Sequence, residues 1–229
     1  IKMKEQKDRA RKSWKGTGDQ EDHKKWFQIT ENLSPTEFLG YEQTETESEI
    51  ISIIKKNTET DILLEGDDGI IVLNQTPFYG ESGGQIGDSG KIIYENSIFE
   101  VYDTTKLFGS FFLHHGKVIN GKFNKKESVT AIIDKNKREL IKCNHSSTHL
   151  LHSSLRAILG NHVSQKGSLV SNEKLRFDFS HNDPISSDNI MKIEKNVNHQ
   201  IINNSKVDTK IIDHQKAIDE GAMALFGEK

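Results

Sequence analysis

Apolar residues fall along the chain in two rhythms, and the change between them near residue 134 divides it. From Ile50 onward the apolar runs are short. Ile62-Leu63-Leu64 and Ile70-Ile71-Val72-Leu73 flank Glu65-Gly66-Asp67-Asp68-Gly69, and Ile92-Ile93-Tyr94 and Phe99 to Val101 flank Glu95-Asn96-Ser97. Phe111 to Val118 and Val129 to Ile133 continue the series. Short runs broken by Gly, Asp and Asn read as strands joined by hairpins, and their spacing predicts a small antiparallel barrel.

Beyond Asp134, a good N-cap, the period lengthens towards 3.6. Leu151, Leu155 and Ile158 then share one face, and Gly160 can close the helix at its C′ position, which predicts a long helix from about Lys135 to Leu159. Val163 to Val170 and Lys174 to Phe179 read as a hairpin around Ser171-Asn172. Ile190, Ile193, Val197 and Ile201 recur at helical spacing behind Ser187 and Asp188; a strand near Val207 to Ile212 and a helix near Gln215 to Phe226 follow. The expected fold class is α+β: a small antiparallel β-barrel over residues 31–134, then an α+β unit with a long histidine-bearing helix over residues 135–229. Residues 1–30, rich in Lys and Arg with Trp14, Trp26 and Phe27, read as a lead-in segment and linker.

Composition narrows the class. With 229 residues, each of two subdomains can bury a core, and only 3 prolines are present, so this is a folded chain and not a low-complexity one. No run approaches the roughly 20 apolar residues of a spanning helix, and the basic start lacks the apolar stretch of a signal peptide. The single Cys143 fits a reducing compartment, and a cytoplasmic location is expected. The net charge of −3 by itself argues for no polyanionic partner. Its distribution says more: eleven acidic residues face two lysines between Glu31 and Asp68, whereas Lys117 to Lys142 holds eight basic residues against three acidic ones. Such a stripe can meet a phosphate backbone or simply be a solvated face.

Three segments could carry chemistry. In His145-Ser146-Ser147-Thr148-His149 the i, i+4 spacing puts two imidazoles on one helix face, able to share a metal ion. Zinc needs three or four ligands, so the pair is half a site or a polar helix face. His152 and Arg156 extend the same polar stripe. Position 146 is Ser, so the glutamate base of a zinc protease motif is missing. The second segment runs from Pro77 to Gly90, with five glycines in its last eleven residues; it lacks the Gly-Lys-Ser/Thr ending of a phosphate-binding loop and reads alternatively as a tight barrel loop. The third, His162 to Val170, starts a strand with alternating polar groups that could line a pocket opposite the histidines.

Taken together, Phe78 to Asp88, Asn144 to His152, His162 to Ser168 and Gly221 to Lys229 resemble, in order, successive blocks of the alanyl-tRNA synthetase editing region. The resemblance runs over the whole chain, with the first thirty residues similar to the tail of the preceding tRNA-recognition region. It implies a domain shared with freestanding alanyl-tRNA deacylases and, in its second half, with the threonyl-tRNA synthetase editing domain. Such a domain hydrolyses serine or glycine wrongly esterified to alanine tRNA, in the cytoplasm, within a larger ligase whose ATP and magnesium belong to a separate aminoacylation domain. By the same resemblance His145 and His149 would be zinc ligands, Thr148 the hydroxyl that reads serine, and Gln165 a polar group of the reacting pocket. Gly83, Gly84, Gln85, His162 and Lys166 would bind substrate. The family's other two ligands lie in a Cys-x-x-x-His element downstream of the last block, so the expected zinc site is incomplete in these residues. Two rivals stand beside this expectation, a freestanding deacylase and a noncatalytic RNA-binding module that uses the basic stripe.

Overall fold

A computed structural model describes residues 33–206 and 212–221, together with Trp26, Ile29 and Thr30. From Glu37 onward the elements are β1 (Glu37–Phe38), β2 (Glu45–Lys55), β3 (Thr58–Thr60), β4 (Ile62–Leu64), β5 (Asp68–Leu73), β6 (Gln75–Thr76), β7 (Gly90–Tyr94), β8 (Ser97–Leu107), β9 (Phe111–Asn120), β10 (Lys122–Asn124) and β11 (Ser128–Ile133). Then come α1 (Lys135–Leu159), β12 (Gln165–Val170), β13 (Leu175–Phe179), α2 (Ser187–Asn203) and α3 (His214–Asp219).

Six strands close a barrel in the order β2-β5-β9-β8-β7-β11, and β11 pairs back onto β2, every neighbour antiparallel. Its interior is filled by Ile50, Ile53, Ile71, Leu73, Phe78, Ile92, Phe99, Val118 and Val129, all buried. The hairpin expected around Gly66 does not form. Ile62–Leu64 pairs instead with Lys122–Asn124, so that Leu63 and Phe123 reach the barrel core together, while Asp68–Leu73 pairs with β2 and β9. The hairpin expected at Glu95-Asn96 is present, with Tyr94 opposite Ser97.

β2 begins at Glu45, earlier than its apolar run, because its first inward residues are Thr46 and Ser48 rather than aliphatics. A second polar group inside the barrel is His114, which is fully buried. Its Nδ1 donates to the Ile71 carbonyl at 2.9 Å, and its Nε2 accepts from the Thr76 hydroxyl at 2.7 Å. Burial pushes its pKa down to about 4, against the smaller upward pull of the Ile71 carbonyl. The folded chain therefore binds fewer protons than the unfolded one between about pH 6.5 and 4, and stability falls with pH across that window. His114 should account for about 1 kcal/mol of the stability lost in urea melts between about pH 7 and 5.5, and His114→Gln should reduce this dependence, the remainder coming from His115, His145 and His152, whose pKa values burial also lowers. A pH slope unchanged in the variant would refute the assignment.

α1 starts where expected: the Asp134 carboxylate accepts from Lys137 N at 3.0 Å, and Gly160 ends it with φ +115. Leu155, Val163 and Ile193 form a second core with Leu151, Ile158, Phe177 and Phe179, joining α1, α2 and the β12–β13 hairpin. α2 is capped by Ser186, one residue before the expected Ser187. Of its expected apolar face only Ile193 is buried, and Ile190 and Ile201 are exposed, because the contact with α1 centres on Ser154, whose hydroxyl donates to the Ile193 carbonyl at 3.3 Å. The strand expected at Val207 to Ile212 falls mostly on residues 207–211, outside the described ones, as do residues 222–229 of the last expected helix and block. The described part of that helix is α3, capped by Asp213.

Candidate functional site

Two features of α1 bring the barrel's glycine-rich loop to the helix. Near its start, Arg138 turns inward and pairs with Asp88 of that loop. Its Nε donates to both carboxylate oxygens at 3.0 Å, and its remaining donors reach the carbonyls of Gly40 at 2.7 Å and Pro77 at 3.0 Å. Tyr79 N adds a bond to Asp88 at 2.7 Å, so the buried carboxylate is fully engaged. Two turns further along the same face stands His145. Its Nδ1 donates to Gln85 Oε1 at 2.7 Å, which leaves Nε2 as the nitrogen with a free lone pair.

His149 stacks on His145, with ring centroids 5.0 Å apart and 19° between planes. Burial, reinforced by the His149 charge, lowers the pKa of His145 and favours its neutral form. A neutral imidazole oriented through its other nitrogen is the state a metal ligand needs. The pair therefore fits two positions of a zinc shell, and among the described residues no group of three or more His, Cys, Asp and Glu could hold a metal. Zinc should be held weakly by these residues alone. Since neither His145 nor His149 belongs to the Leu155–Val163–Ile193 core, a chelator should move Tm by no more than about 2 °C. Chelator-resistant zinc at one per chain would show that further ligands complete the site.

The rest of the stripe parts company with this pair. His152 is buried under the hairpin with its ring 5.0 Å from Phe177, and Arg156 turns to the carbonyls of Asn161 at 3.1 Å and Val163 at 2.9 Å. The basic segment is no single stripe either. Arg138 turns inward and keeps only 11% of its side chain exposed, Lys125 pairs with Glu59, and Lys137 donates to Ser89.

The glycine-rich loop is stitched to β12 by Val170 N to Gly84 O at 2.7 Å and Ile86 N to Val170 O at 3.1 Å. Gly84, at φ +86, lies so close to the strand that a Cβ would stand 2.3 Å from Ser168 Oγ. The Ser168 hydroxyl donates to Gly83 O and accepts from Gln165 Nε2, both at 3.2 Å. Thus the loop's Gly83, Gly84 and Gln85, the helix's His145 and His149, and the strand's Gln165 meet through shared partners. Thr148 is buried and donates to the Asn144 carbonyl at 2.8 Å; Asn144 in turn ties α1 to Ser171 O at 2.8 Å. His162 and Lys166 are exposed. His162 bonds to His181 at 2.8 Å, a pairing invisible in sequence because the two lie on either side of the hairpin. Asp88 and Arg138 were also missed as a unit, although Asp88 sits inside one of the recognised blocks.

A barrel whose glycine loop is locked onto a histidine helix is the setting in which the comparisons fall. The chain belongs to the family of tRNA synthetases class II (A), whose model matches residues 1–137. Within that family it is 46% identical over 227 residues to an alanine–tRNA ligase of Nitrobacter winogradskyi, and equally to one of Mesorhizobium japonicum. Both alignments cover 99% of this chain, which spans 26% of the length of each curated relative. No described helix is long and apolar enough to cross a membrane.

Proposed function

We propose that this chain carries the hydrolytic editing site of an alanine–tRNA ligase, releasing serine or glycine wrongly esterified to alanine tRNA. The longer protein would attach alanine to that tRNA, with ATP and magnesium bound in another domain, in the cytoplasm. The observation that carries the reading is the Gln85–His145 bond, which orients one histidine of a stacked pair beside a glycine loop and a polar strand. The need is physical, since a pocket built for alanine cannot exclude the smaller glycine and rejects the serine hydroxyl poorly.

Hydrolysis adds water to the ester carbonyl and breaks its bond to the ribose oxygen, giving a free amino acid and a free tRNA hydroxyl. His145 and His149 would hold zinc together with ligands outside the described residues; when bound, the metal polarises an oxygen of substrate or water. The chain's own groups fix the ester for attack. Gly83 and Gly84 let backbone approach it, and Gln165, steadied by Ser168, supplies an amide beside that loop. Thr148, whose proton is given to Asn144 O, reads a serine hydroxyl as an acceptor.

In the full-length enzyme, Gln165→Ala should slow serine release from alanine tRNA about tenfold while alanine charging stays within about twofold, since tenfold corresponds to one well-made hydrogen bond. Thr148→Val should impair release of serine more than of glycine, which has no side-chain hydroxyl. Equal loss of charging and release would sink the proposal, and an enzyme that binds but never deacylates would favour the RNA-binding module.

A further inference from the structure

Beside His145 the surface opens into a cleft of about 430 Å³, within the range of small-ligand sites. Phe38, Tyr41 and Tyr79 line its barrel side, and Arg138, Lys142 and His145 its helix side. Phe38 anchors the aromatic group. Its ring stacks on Phe112 at 5.4 Å and takes the edges of Tyr41 at 5.0 Å and Tyr79 at 6.1 Å. Tyr41 itself is 83% exposed, so most of its ring is bare although the ring is held in place. An aromatic side chain adds to folding chiefly by burying its large surface, and this one buries little.

Two carboxylates, Glu42 and Glu139, share the wall with these groups, and its two cations differ. Arg138 is committed to Asp88 and two carbonyls. Lys142 is exposed and held by Glu139 at 2.8 Å, a surface pair weak enough to exchange for a phosphate. On the hydrolysis reading, on which this inference rests, the acyl group to be removed is serine or glycine and has no ring. A cluster of rings beside the reacting ester therefore serves the other side of that ester. The ribose bearing the ester carries a base, and a base in this cleft would keep its own ribose close to His145, which forms part of the same wall.

We propose that the cleft seats the terminal, unpaired base of the RNA 3′ end, stacked on Tyr41, with Lys142 contacting the adjacent phosphate. Stacking on an exposed aromatic face is tolerant of base identity and has a large effect per base, so truncating the ring should be costly.

The test uses full-length enzyme and serine-charged alanine tRNA. Tyr41→Ala should raise the KM of deacylation roughly tenfold with kcat within about twofold, and Tyr41→Trp, which keeps a stacking face, should restore it. Lys142→Gln should raise KM at low salt and reduce the salt dependence by about one ion. Alanine charging and Tm should be unchanged in all three, because both residues are exposed. If wild-type enzyme fails to deacylate, the hydrolysis reading falls. If wild type deacylates and Tyr41→Ala keeps its KM, or loses kcat at constant KM, the base seat is overturned while that reading stands.

Discussion

Replacing Asp88 by alanine is expected to destabilise the chain by about 3–5 kcal/mol, the usual cost of leaving one member of a buried ion pair without its partner. The Asp88 side chain is 2% exposed and that of Arg138 11%, so water can do little to compensate the stranded guanidinium. The carboxylate also accepts from Tyr79 N, a bond lost in the same step. Denaturant melts of the wild type, Asp88→Ala and the double variant Asp88→Ala/Arg138→Met measure this. The double variant should lose less than the sum of the two single changes, since no charge remains buried. A loss below about 1 kcal/mol in Asp88→Ala would show that the pair is solvated in solution.

Gly84→Ala should cost about 2–4 kcal/mol, combining the penalty of an L-residue at positive φ with forced separation of loop and strand. The added Cβ would meet Ser168 Oγ at 2.3 Å and Ser168 O at 2.5 Å, and the latter is backbone that cannot swing aside. Gly83→Ala is the matched control. Its φ is +60, but a Cβ there has nothing within 4 Å, so it should lose only about 1 kcal/mol. The difference between the two isolates the close approach. Equal losses would mean that backbone conformation alone accounts for both glycines. In the full-length enzyme Gly84→Ala should also slow serine release, because Gln85 would no longer be held against His145.

What could be read from the chain follows the range over which each determinant acts. α1 is legible because the Leu151–Leu155–Ile158 face lies within it and Asp134 and Gly160 stand directly at its two ends, and the His145–His149 pair because a helix turn brings i and i+4 together. The barrel was visible through its apolar runs, but the start of β2 was not, since Thr46 and Ser48 occupy inward positions that a hydrophobic count passes over. The false hairpin at Gly66 shows the same limit from the other side. Leu63 finds Phe123 across the barrel, and nothing near residue 63 announces it. The site depends on bonds between residues far apart, Gln85 with His145 and Asp88 with Arg138, so its members could be named from motifs while the clamp between them could not. His152 was misplaced for a related reason: the hairpin that covers it comes later in the chain.

Closure of the barrel has a consequence for synthesis on the ribosome. β2 waits for β11, with Thr130 opposite Glu47, so one edge of the sheet stays open until 83 further residues have been made. An unpaired edge invites pairing with other nascent chains. During that interval Glu45, Glu47 and Glu49 alternate along the waiting strand on its outward face, a row of like charges that repels a second copy of itself. The strand that completes the barrel leads directly into the cap of α1, so the edge is sealed as the histidine helix begins to emerge.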